Sequence, residues 1–181
     1  HGRAHGTLQR GAAEVVTRVS VDSNEVQGNA ISYVGDISAD GRFVAFDSEA
    51  TNLVLDDTNG VGDVFLRDLQ LGTTIRVSVT AMGEQTNGGG GAPSISADGR
   101  FVAFESGSTT FVSGDANGFG DIYVKDMLTG AVTRASVSST GAEPNNESMT
   151  ASISGDGRYV VFASDADNLV PNDTNGAGDI F

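Results

Sequence analysis

A seven-residue polar phrase that recurs at a fixed interval constrains the fold of this chain more than any other feature. The phrase reads Asp-x-Asn-Gly-x-Gly-Asp and begins at Asp57, Asp115 and Asp173. The interval between successive copies is the same both times, with no insertion or deletion. Because self-similarity at a fixed period is typical of repeat architectures, the sequence predicts a chain built from copies of one supersecondary unit.

The periodic region extends from residue 8 to residue 181 and comprises three periods. We divide it into the repeats 8–65, 66–123 and 124–181. Residues 1–7, which include both histidines of the chain, lie outside the pattern. We interpret them as a flexible N-terminal segment, because the glycine after each histidine disfavours a metal-binding helix.

Each period contains four segments with strand-like patterns. The first is short and rich in small residues, and the Asp-Gly pair that follows it predicts a type I′ hairpin turn. The second has apolar residues on both faces, so we expect it to be covered on both sides. The third begins at the last aspartate of the phrase, and the fourth alternates apolar and polar residues, which predicts one exposed face. In one period these segments are 35–38, 42–46, 63–68 and 74–79, and the other fourth segments are 16–21 and 132–137.

The aromatic residues follow the same period. Nine of the 12 stand at three repeated places, which indicates that successive sheets stack and press aromatic side chains on one another. Small residues in the first segment and an exposed face on the fourth predict a wedge-shaped sheet. Its first strand would lie at a crowded central axis and its fourth strand at the solvent-exposed outer edge. The three places are Phe43/Phe101/Tyr159, Phe46/Phe104/Phe162 and Phe65/Tyr123/Phe181.

Two phrases, Ser-Ala-Asp-Gly-Arg-Phe-Val-Ala-Phe and Asp-Ile-Tyr-Val-Lys-Asp-Met-Leu-Thr-Gly, resemble the repeat of TolB-type, WD-repeat-like β-propellers. The resemblance covers residues 8–181 and implies an all-β fold of four-stranded propeller blades. The three 58-residue repeats would then form part of a larger propeller or of one completed by oligomerisation. The chain departs from the shorter family repeat in a long connector before the third strand and a long loop after the fourth. The resemblance implies little about function, because one fold hosts many functions.

The charge balance excludes several classes of partner. The chain has 10 basic and 24 acidic residues and a net charge of -14, which argues against nucleic acid and anionic membrane surfaces. It has no cysteine for disulfides or thiol chemistry, and no apolar run approaches the roughly 20 residues of a membrane helix. We expect an extracellular, cell-surface or periplasmic protein. Because the sequence begins at His1, we also expect a processed or excised chain.

The polar phrase has the spacing of a calcium loop. Calcium takes six to eight oxygen ligands at about 2.3–2.6 Å, and alternate loop residues present oxygens to one centre where glycines let the backbone curl. The phrase is similar to the first half of an EF-hand loop, but an apolar residue occupies the fifth place and the twelfth lies too far along the strand. We predict one Ca²⁺ per repeat, with further ligands from the connector, near Asp56 or the Asn52 carbonyl, or from water. The predicted ligands are Asp57, Asn59, the carbonyl of Val61 and Asp63; Asp115, Asn117, Phe119 and Asp121; and Asp173, Asn175, Ala177 and Asp179.

A metal-free alternative accounts for part of the same pattern. Asp-x-Asn-Gly forms Asx-turns without any ion, although such turns do not require an aspartate at the seventh place in each copy. Two sets of arginines also recur. We expect Arg42, Arg100 and Arg158 to pair with nearby carboxylates, and we expect the set on the fourth segments to be solvated. The latter set is Arg18, Arg76 and Arg134.

The repeats contain no histidine or cysteine nucleophile, and every repeated acid occurs in three equivalent surroundings. Active sites are usually singular, so we expect a calcium-stabilised structural, assembly or binding module without catalysis. The alternative is a polysaccharide-directed propeller, which would serve as an accessory domain, lectin, hydrolase or lyase. A further alternative is a subunit of an extracellular filament.

The number of repeats bears on assembly. Propellers usually have about four to eight blades, so three wedges do not close a ring by themselves. We expect head-to-tail self-association, as a ring completed by two chains or as a filament, or else a longer chain whose other repeats cover the edges. A glycan is a further candidate partner.

Overall fold

The computed structural model describes residues 16–181, apart from the Val34 side chain. The predicted flexible segment 1–7 and the start of the first repeat, 8–15, lie outside the described residues. Within the described part every regular element is a β-strand, so the all-β prediction is confirmed. No helix between residues 16 and 181 is long and apolar enough to cross a membrane.

The strands form three antiparallel meanders. The first sheet contains β1 (Ser32–Ile37), β2 (Phe43–Ser48), β3 (Asp63–Asp68) and β4 (Thr73–Arg76). The second contains β5 (Gly91–Ile95), β6 (Phe101–Ser106), β7 (Asp121–Asp126) and β8 (Val132–Arg134). The third contains β9 (Ser148–Ile153), β10 (Val160–Ser164) and β11 (Asp179–Ile180), and lacks a fourth strand among the described residues.

The predicted fourth segments are only partly strands. β4 and β8 end at their arginines, because the chain then turns: the N–H of Val79 donates to the carbonyl of Val77 at 2.7 Å. Residues 16–21 form no strand. Within the described residues, Val21 makes an isolated antiparallel β-bridge with Gln27. The residues that precede this segment lie outside the described part of the chain.

The predicted type I′ turns are wrong. A type I′ turn needs positive φ at both central residues. In the first sheet the turn runs from Ser38 to Gly41, closed by the Gly41 N–H on the Ser38 carbonyl at 2.9 Å, and within it only Gly41 has positive φ, at 73°. Asp40 accepts hydrogen bonds from the Ser38 hydroxyl at 2.6 Å and the Arg42 N–H at 3.0 Å. These bonds favour a longer turn that ends in a left-handed glycine.

The sheets are joined at their inner strands and across two apolar layers. The N–H of Ala39 donates to the Ala97 carbonyl, and the N–H of Ala97 donates to the Gly155 carbonyl, both at 2.9 Å. One core cluster joins the first sheet to the second through Val64 and Phe104, and another joins the second to the third through Ile122 and Phe162. The ring pairs of the repeated aromatic residues lie within each sheet, and not between successive sheets as predicted. Their centroids are 5.8 Å apart in Phe46–Phe65, 6.1 Å in Phe104–Tyr123 and 5.9 Å in Phe162–Phe181.

The pairing predicted for Arg42 and Arg100 is confirmed. Their guanidinium groups bond Asp68 at 2.7 Å and Asp126 at 2.8 Å. These are the twelfth-place aspartates, counted from the start of each polar phrase, so the expectation that they lie away from the loop is also correct. In the first two sheets the turn therefore ties the second strand to the end of the third, whereas Arg158, which was also expected to pair, makes no ion pair among the described residues.

Candidate functional site

The polar phrases form three equivalent loops, which we call the first loop (57–63), the second loop (115–121) and the third loop (173–179). The last aspartate of each loop is the first residue of β3, β7 or β11. The glycine at the fourth place has positive φ in every copy, which lets the loop curl before the strand begins. These glycines are Gly60, Gly118 and Gly176.

Each asparagine holds its loop by an Asx-turn. Its side-chain oxygen accepts the N–H of the fifth-place residue, at 3.2 Å from Val61, 2.9 Å from Phe119 and 2.8 Å from Ala177. Its amide nitrogen donates to the seventh-place aspartate, at 3.1, 3.5 and 3.1 Å in the three loops. The metal-free alternative therefore accounts for this side chain, and the amide must rotate before Asn59, Asn117 or Asn175 presents its oxygen to a cation.

An arginine lies between the two aspartates of the first loop. Arg76 is 3.4 Å from Asp57 and 3.6 Å from Asp63, and its side chain is 6% exposed. The expectation that Arg76 is solvated is wrong, because β4 passes directly beside the curled loop. The next turn of the chain adds Ser78, whose hydroxyl donates to Asp63 at 2.5 Å and accepts the Val64 N–H at 3.1 Å.

The second loop repeats this arrangement with one carboxylate more. Arg134, whose side chain is 10% exposed and which is likewise not solvated, lies 3.6 Å from Asp115, 3.1 Å from Asp121 and 2.8 Å from Glu143. Glu143 also accepts the Ala116 N–H at 2.9 Å. The three carboxylates place one oxygen each within 4.8 Å of one another, a spacing that suits a shared cation.

Sequence reasoning missed Glu143, which comes from the loop after β8 rather than from the connector that contains Asp56. A signal was present in the period, because Gln27, Gln85 and Glu143 occupy the same place in successive repeats. Gln85 accepts the Thr58 N–H at 3.3 Å, the same bond that Glu143 makes to Ala116. The position therefore caps the loop in both copies, but only the second copy carries a charge.

Burial sets the protonation behaviour of these acids. Desolvation raises the pKa of Asp57 and of Asp121, although the neighbouring arginines act in the opposite direction. The pKa of Glu143 is lowered, first by the Ala116 N–H and then by Arg134. Tyr123 donates its hydroxyl to Asp115, and burial raises the pKa of that tyrosine. Phenylalanine occupies the corresponding place beside the other loops, so the second loop is chemically distinct.

The carboxylate oxygens of the first two loops are of the type that a divalent cation prefers. Several buried polar atoms around them also lack a hydrogen-bond partner. Asp57 Oδ1 is buried without a hydrogen bond, as are the Nε atoms of Arg76 and Arg134. The Arg76 contacts at 3.4 and 3.6 Å exceed the roughly 2.7–2.9 Å of a charge-assisted hydrogen bond. Arginine thus neutralises the carboxylates without saturating them. Asp57, Asp63, Asp115, Asp121 and Glu143 are the residues that could hold a cation in the first two loops.

The third loop is more open than the other two. Asp63 and Asp121 are fully buried, whereas Asp173 and Asp179 are half-buried. No arginine contacts either acid among the described residues, and the loop borders an open groove of about 450 Å³. Ile180, which follows the loop, is 72% exposed. Arg18 is exposed, as expected, and donates to Gln27 at 2.7 Å.

Comparison with known proteins supports the fold alone. Neither a protein-family model nor a curated protein sequence matches the chain. A candidate TolB protein from Agrobacterium tumefaciens has a similar structure, with a TM-score of 0.51 and 21% identity, over 75% of this chain and 39% of that one. TolB from Acinetobacter baumannii gives a TM-score of 0.49 and 22% identity, over 83% of this chain and 29% of that one.

The β-propeller domain of the Trilobed protease from Pyrococcus furiosus gives a TM-score of 0.46 and 15% identity, over 74% of this chain and 34% of that one. The chain thus spans about a third of the length of these solved structures. Stacked antiparallel meanders and the likeness to the Agrobacterium protein confirm the predicted fold class: the described sheets are blades of a β-propeller fold.

Proposed function

We propose that this protein is a non-catalytic structural and binding module of β-propeller type whose acidic loops bind Ca²⁺. The observation that carries the proposal is the convergence of Asp115, Asp121 and Glu143 within 4.8 Å. Carboxylate oxygens are the ligands that calcium prefers, and a buried carboxylate needs a counter-charge.

The three loops differ in the charge that is left for calcium. The second loop has three carboxylates and one arginine, the first has two carboxylates and one arginine, and the third has two carboxylates without an arginine among the described residues. A divalent ion balances a surplus of two negative charges. We expect the second loop to bind calcium most tightly, the exposed third loop more weakly and the first loop least.

The role without catalysis rests on repetition. A pair of aspartates recurs in all three loops. In the first two loops the partners of the pair are asparagine side-chain amides, serine hydroxyls, the Tyr123 hydroxyl and arginines that hold strands in place. Such contacts stabilise the end of a strand and leave no substrate pocket between the acids. Weak, open calcium sites suit millimolar extracellular calcium, so we propose an extracellular, cell-surface or periplasmic location.

A melting experiment tests the proposal. Protein freed of calcium by a chelator is titrated with Ca²⁺, and the melting temperature should rise, because an ion at 100 times its dissociation constant adds about 2.7 kcal/mol to stability. Glu143→Gln, which copies the residue of the first loop, should reduce the rise. Mg²⁺ serves as the ion control. An unchanged melting temperature in the parent protein would reject the calcium role.

A second candidate is recognition of a polysaccharide. A groove of about 430 Å³ between the blades is lined by Glu105, Glu147 and several glycines that leave backbone groups accessible. Carboxylates and backbone amides bind sugar hydroxyls. A glycan array combined with a turnover assay tests this candidate: binding without cleavage would indicate a lectin, and cleavage would replace the non-catalytic role.

A further inference from the structure

One nitrogen of Arg134 lies among the three carboxylates of the second loop. Its Nη1 is 2.8 Å from Glu143, 3.1 Å from Asp121 and 3.6 Å from Asp115. The same three carboxylates place one oxygen each within 4.8 Å of one another. A guanidinium nitrogen therefore lies where the three acids converge, which is the place that a bound cation would take.

The arginine of the first loop has a different pattern of contacts. The Nη2 of Arg76 lies 3.4 Å from Asp57, and its Nη1 lies 3.6 Å from Asp63, so two nitrogens face one acid each. Gln85 occupies the place of Glu143 in this repeat, so no third carboxylate draws one nitrogen into the loop. The charged residue at this place thus accompanies the closer approach of the arginine in the second loop.

The two aspartates of the second loop are also held by groups other than the arginine. Tyr123 donates to one oxygen of Asp115, and Arg134 approaches the other oxygen. Ser136 donates to one oxygen of Asp121 at 2.6 Å, and Arg134 again faces the other. Because these hydrogen bonds orient the carboxylates, the oxygens that face the arginine should stay in place if its guanidinium group moves away.

We propose that Arg134 is the resident counter-ion of the second loop, and that Ca²⁺ binds there by displacing its guanidinium group. The inference rests on the proposed calcium role and adds the way in which that role is regulated. The carboxylates converge on one place, and two cations repel one another, so the ion and the guanidinium nitrogen cannot occupy it together. Calcium binding is then an exchange of cations.

The exchange accounts for stability of this blade at low calcium. Asp121 is fully buried, and the side chain of Asp115 is 3% exposed. Buried carboxylates without a counter-charge strongly destabilise a fold. Arg134 supplies that charge when calcium is scarce, and the divalent ion supplies it when calcium is abundant. The parent protein should therefore be folded in chelator, and competition from the arginine should lower its calcium affinity.

Arg134→Gln tests the exchange by removing the competitor. Calorimetric titration should show that the dissociation constant of the tightest calcium site falls at least about tenfold. An arginine at this distance changes the proton affinity of a carboxylate by about 10- to 1,000-fold, and a metal ion responds to the same charge. In chelator the variant should melt below the parent, and calcium should raise its melting temperature by more than that of the parent. A variant that is unfolded in chelator should fold when calcium is added.

Arg100→Gln is the matched control. Arg100 belongs to the same blade, its side chain is 42% exposed and it pairs with Asp126 away from the loop. The substitution removes the same charge from the chain, so it reproduces any long-range effect on calcium. Its calcium affinity should equal that of the parent.

NMR of the guanidinium nitrogens tests the exchange in the parent protein itself. In chelator the carboxylates restrict rotation of the Arg134 guanidinium group, so its Nη signals should be resolved. Saturation with Ca²⁺ should release the group and average these signals. The signals of Arg42 and Arg100, which pair with acids outside the loops, should stay unchanged.

The exchange and the calcium role fail separately. If the parent binds calcium, the exchange is overturned by an affinity that does not rise in Arg134→Gln, or by Arg134 signals that stay unchanged, and the calcium role stands. If Arg134→Gln alone binds calcium, the arginine is confirmed as the cation of the loop and the calcium role of the parent falls. If neither protein binds calcium, both are wrong.

Discussion

At the scale of the residue, the arginine of the fourth strand is the side chain on which the first and second loops depend. Its guanidinium group is always charged and carries five donors in a fixed plane, so it can face two carboxylates at once. Asp63 is fully buried, and Arg76 is its one cationic neighbour within the described residues. Removing the arginine leaves two buried negative charges without compensation.

Replacing Arg76 by Gln should destabilise the fold strongly. Breaking a buried ion pair from one side costs about 3–5 kcal/mol, whereas a change at an exposed position usually stays within about 0.5 kcal/mol. Urea unfolding of Arg76→Gln and of Arg18→Gln, the control at an exposed position, measures the difference. Equal free energies of unfolding for the two proteins would show that the loop acids need no arginine.

The Arg42–Asp68 pair predicts a pH dependence. Arg42 lowers the pKa of Asp68 from 3.8 to about 2. Because the folded pKa is the lower one, the stabilisation is complete above a pH of about 4 and is lost as the pH falls through about 2. Arg42→Gln should raise the Asp68 pKa and move the acid loss of stability to higher pH. Carboxyl NMR titration measures both, with Arg158→Gln as the control; a parent Asp68 that titrates near 3.8 would contradict this origin of the shift.

The sequence predicted the loop acids but not their cation. The fixed period locates Asp57 and Asp63, and nearby carboxylates were expected for Arg42. The alternation of apolar and polar residues along the fourth strand places Arg76 on the outer face of the sheet. That pattern does not reveal that the loop containing Asp57 and Asp63 covers this face. Glu143 was missed for the same reason, because its contacts with the second loop form across a turn that local patterns do not determine.

At the scale of the element, the turn after each first strand is also a contact between blades. Gly99 has a φ of 75°, and a Cβ there would come within 2.3 Å of the Phe43 ring of the preceding blade. Gly41 occupies the same place in the first blade, with a φ of 73°, and a Cβ added there would meet nothing within 4 Å. Comparing substitutions at Gly41 and Gly99 therefore separates the cost of backbone strain from the cost of a steric clash between blades.

Gly99→Ala should therefore cost more than Gly41→Ala. Both substitutions place a side chain in the left-handed region, which costs about 1–2 kcal/mol. Only Gly99→Ala also overpacks the contact between blades, which typically adds about 1–3 kcal/mol. Urea unfolding of the two variants gives the difference; equal losses would mean that Phe43 moves aside freely.

The strands themselves were predicted with uneven success. The third strands match β3 and β7 in both bounds, because an aspartate and a following turn mark each end. The predicted turn type was wrong, because the prediction used the Asp-Gly pair alone. It did not consider the hydrogen bond from the Ser38 hydroxyl to Asp40, which favours a longer turn. The fourth strands are short because the chain leaves the sheet after the arginine.

At the scale of the whole molecule, the fixed period of the repeats was sufficient to predict the architecture. A four-segment unit that recurs at a fixed period with aromatic residues in register can bury its faces only by stacking on the next copy. The likeness to a solved propeller confirms that fold class.

Amide hydrogen exchange tests most directly the claim that an arginine-bearing segment completes the third strand of each of the first two blades. The Val64 and Ile122 N–H groups bond Ser78 and Ser136, which follow Arg76 and Arg134. In the parent protein, with chelator present, Val64 and Ile122 should both exchange slowly. In Arg76→Gln, Val64 should exchange faster while Ile122 stays protected. Val64 exchange that is equal in both proteins would contradict the account.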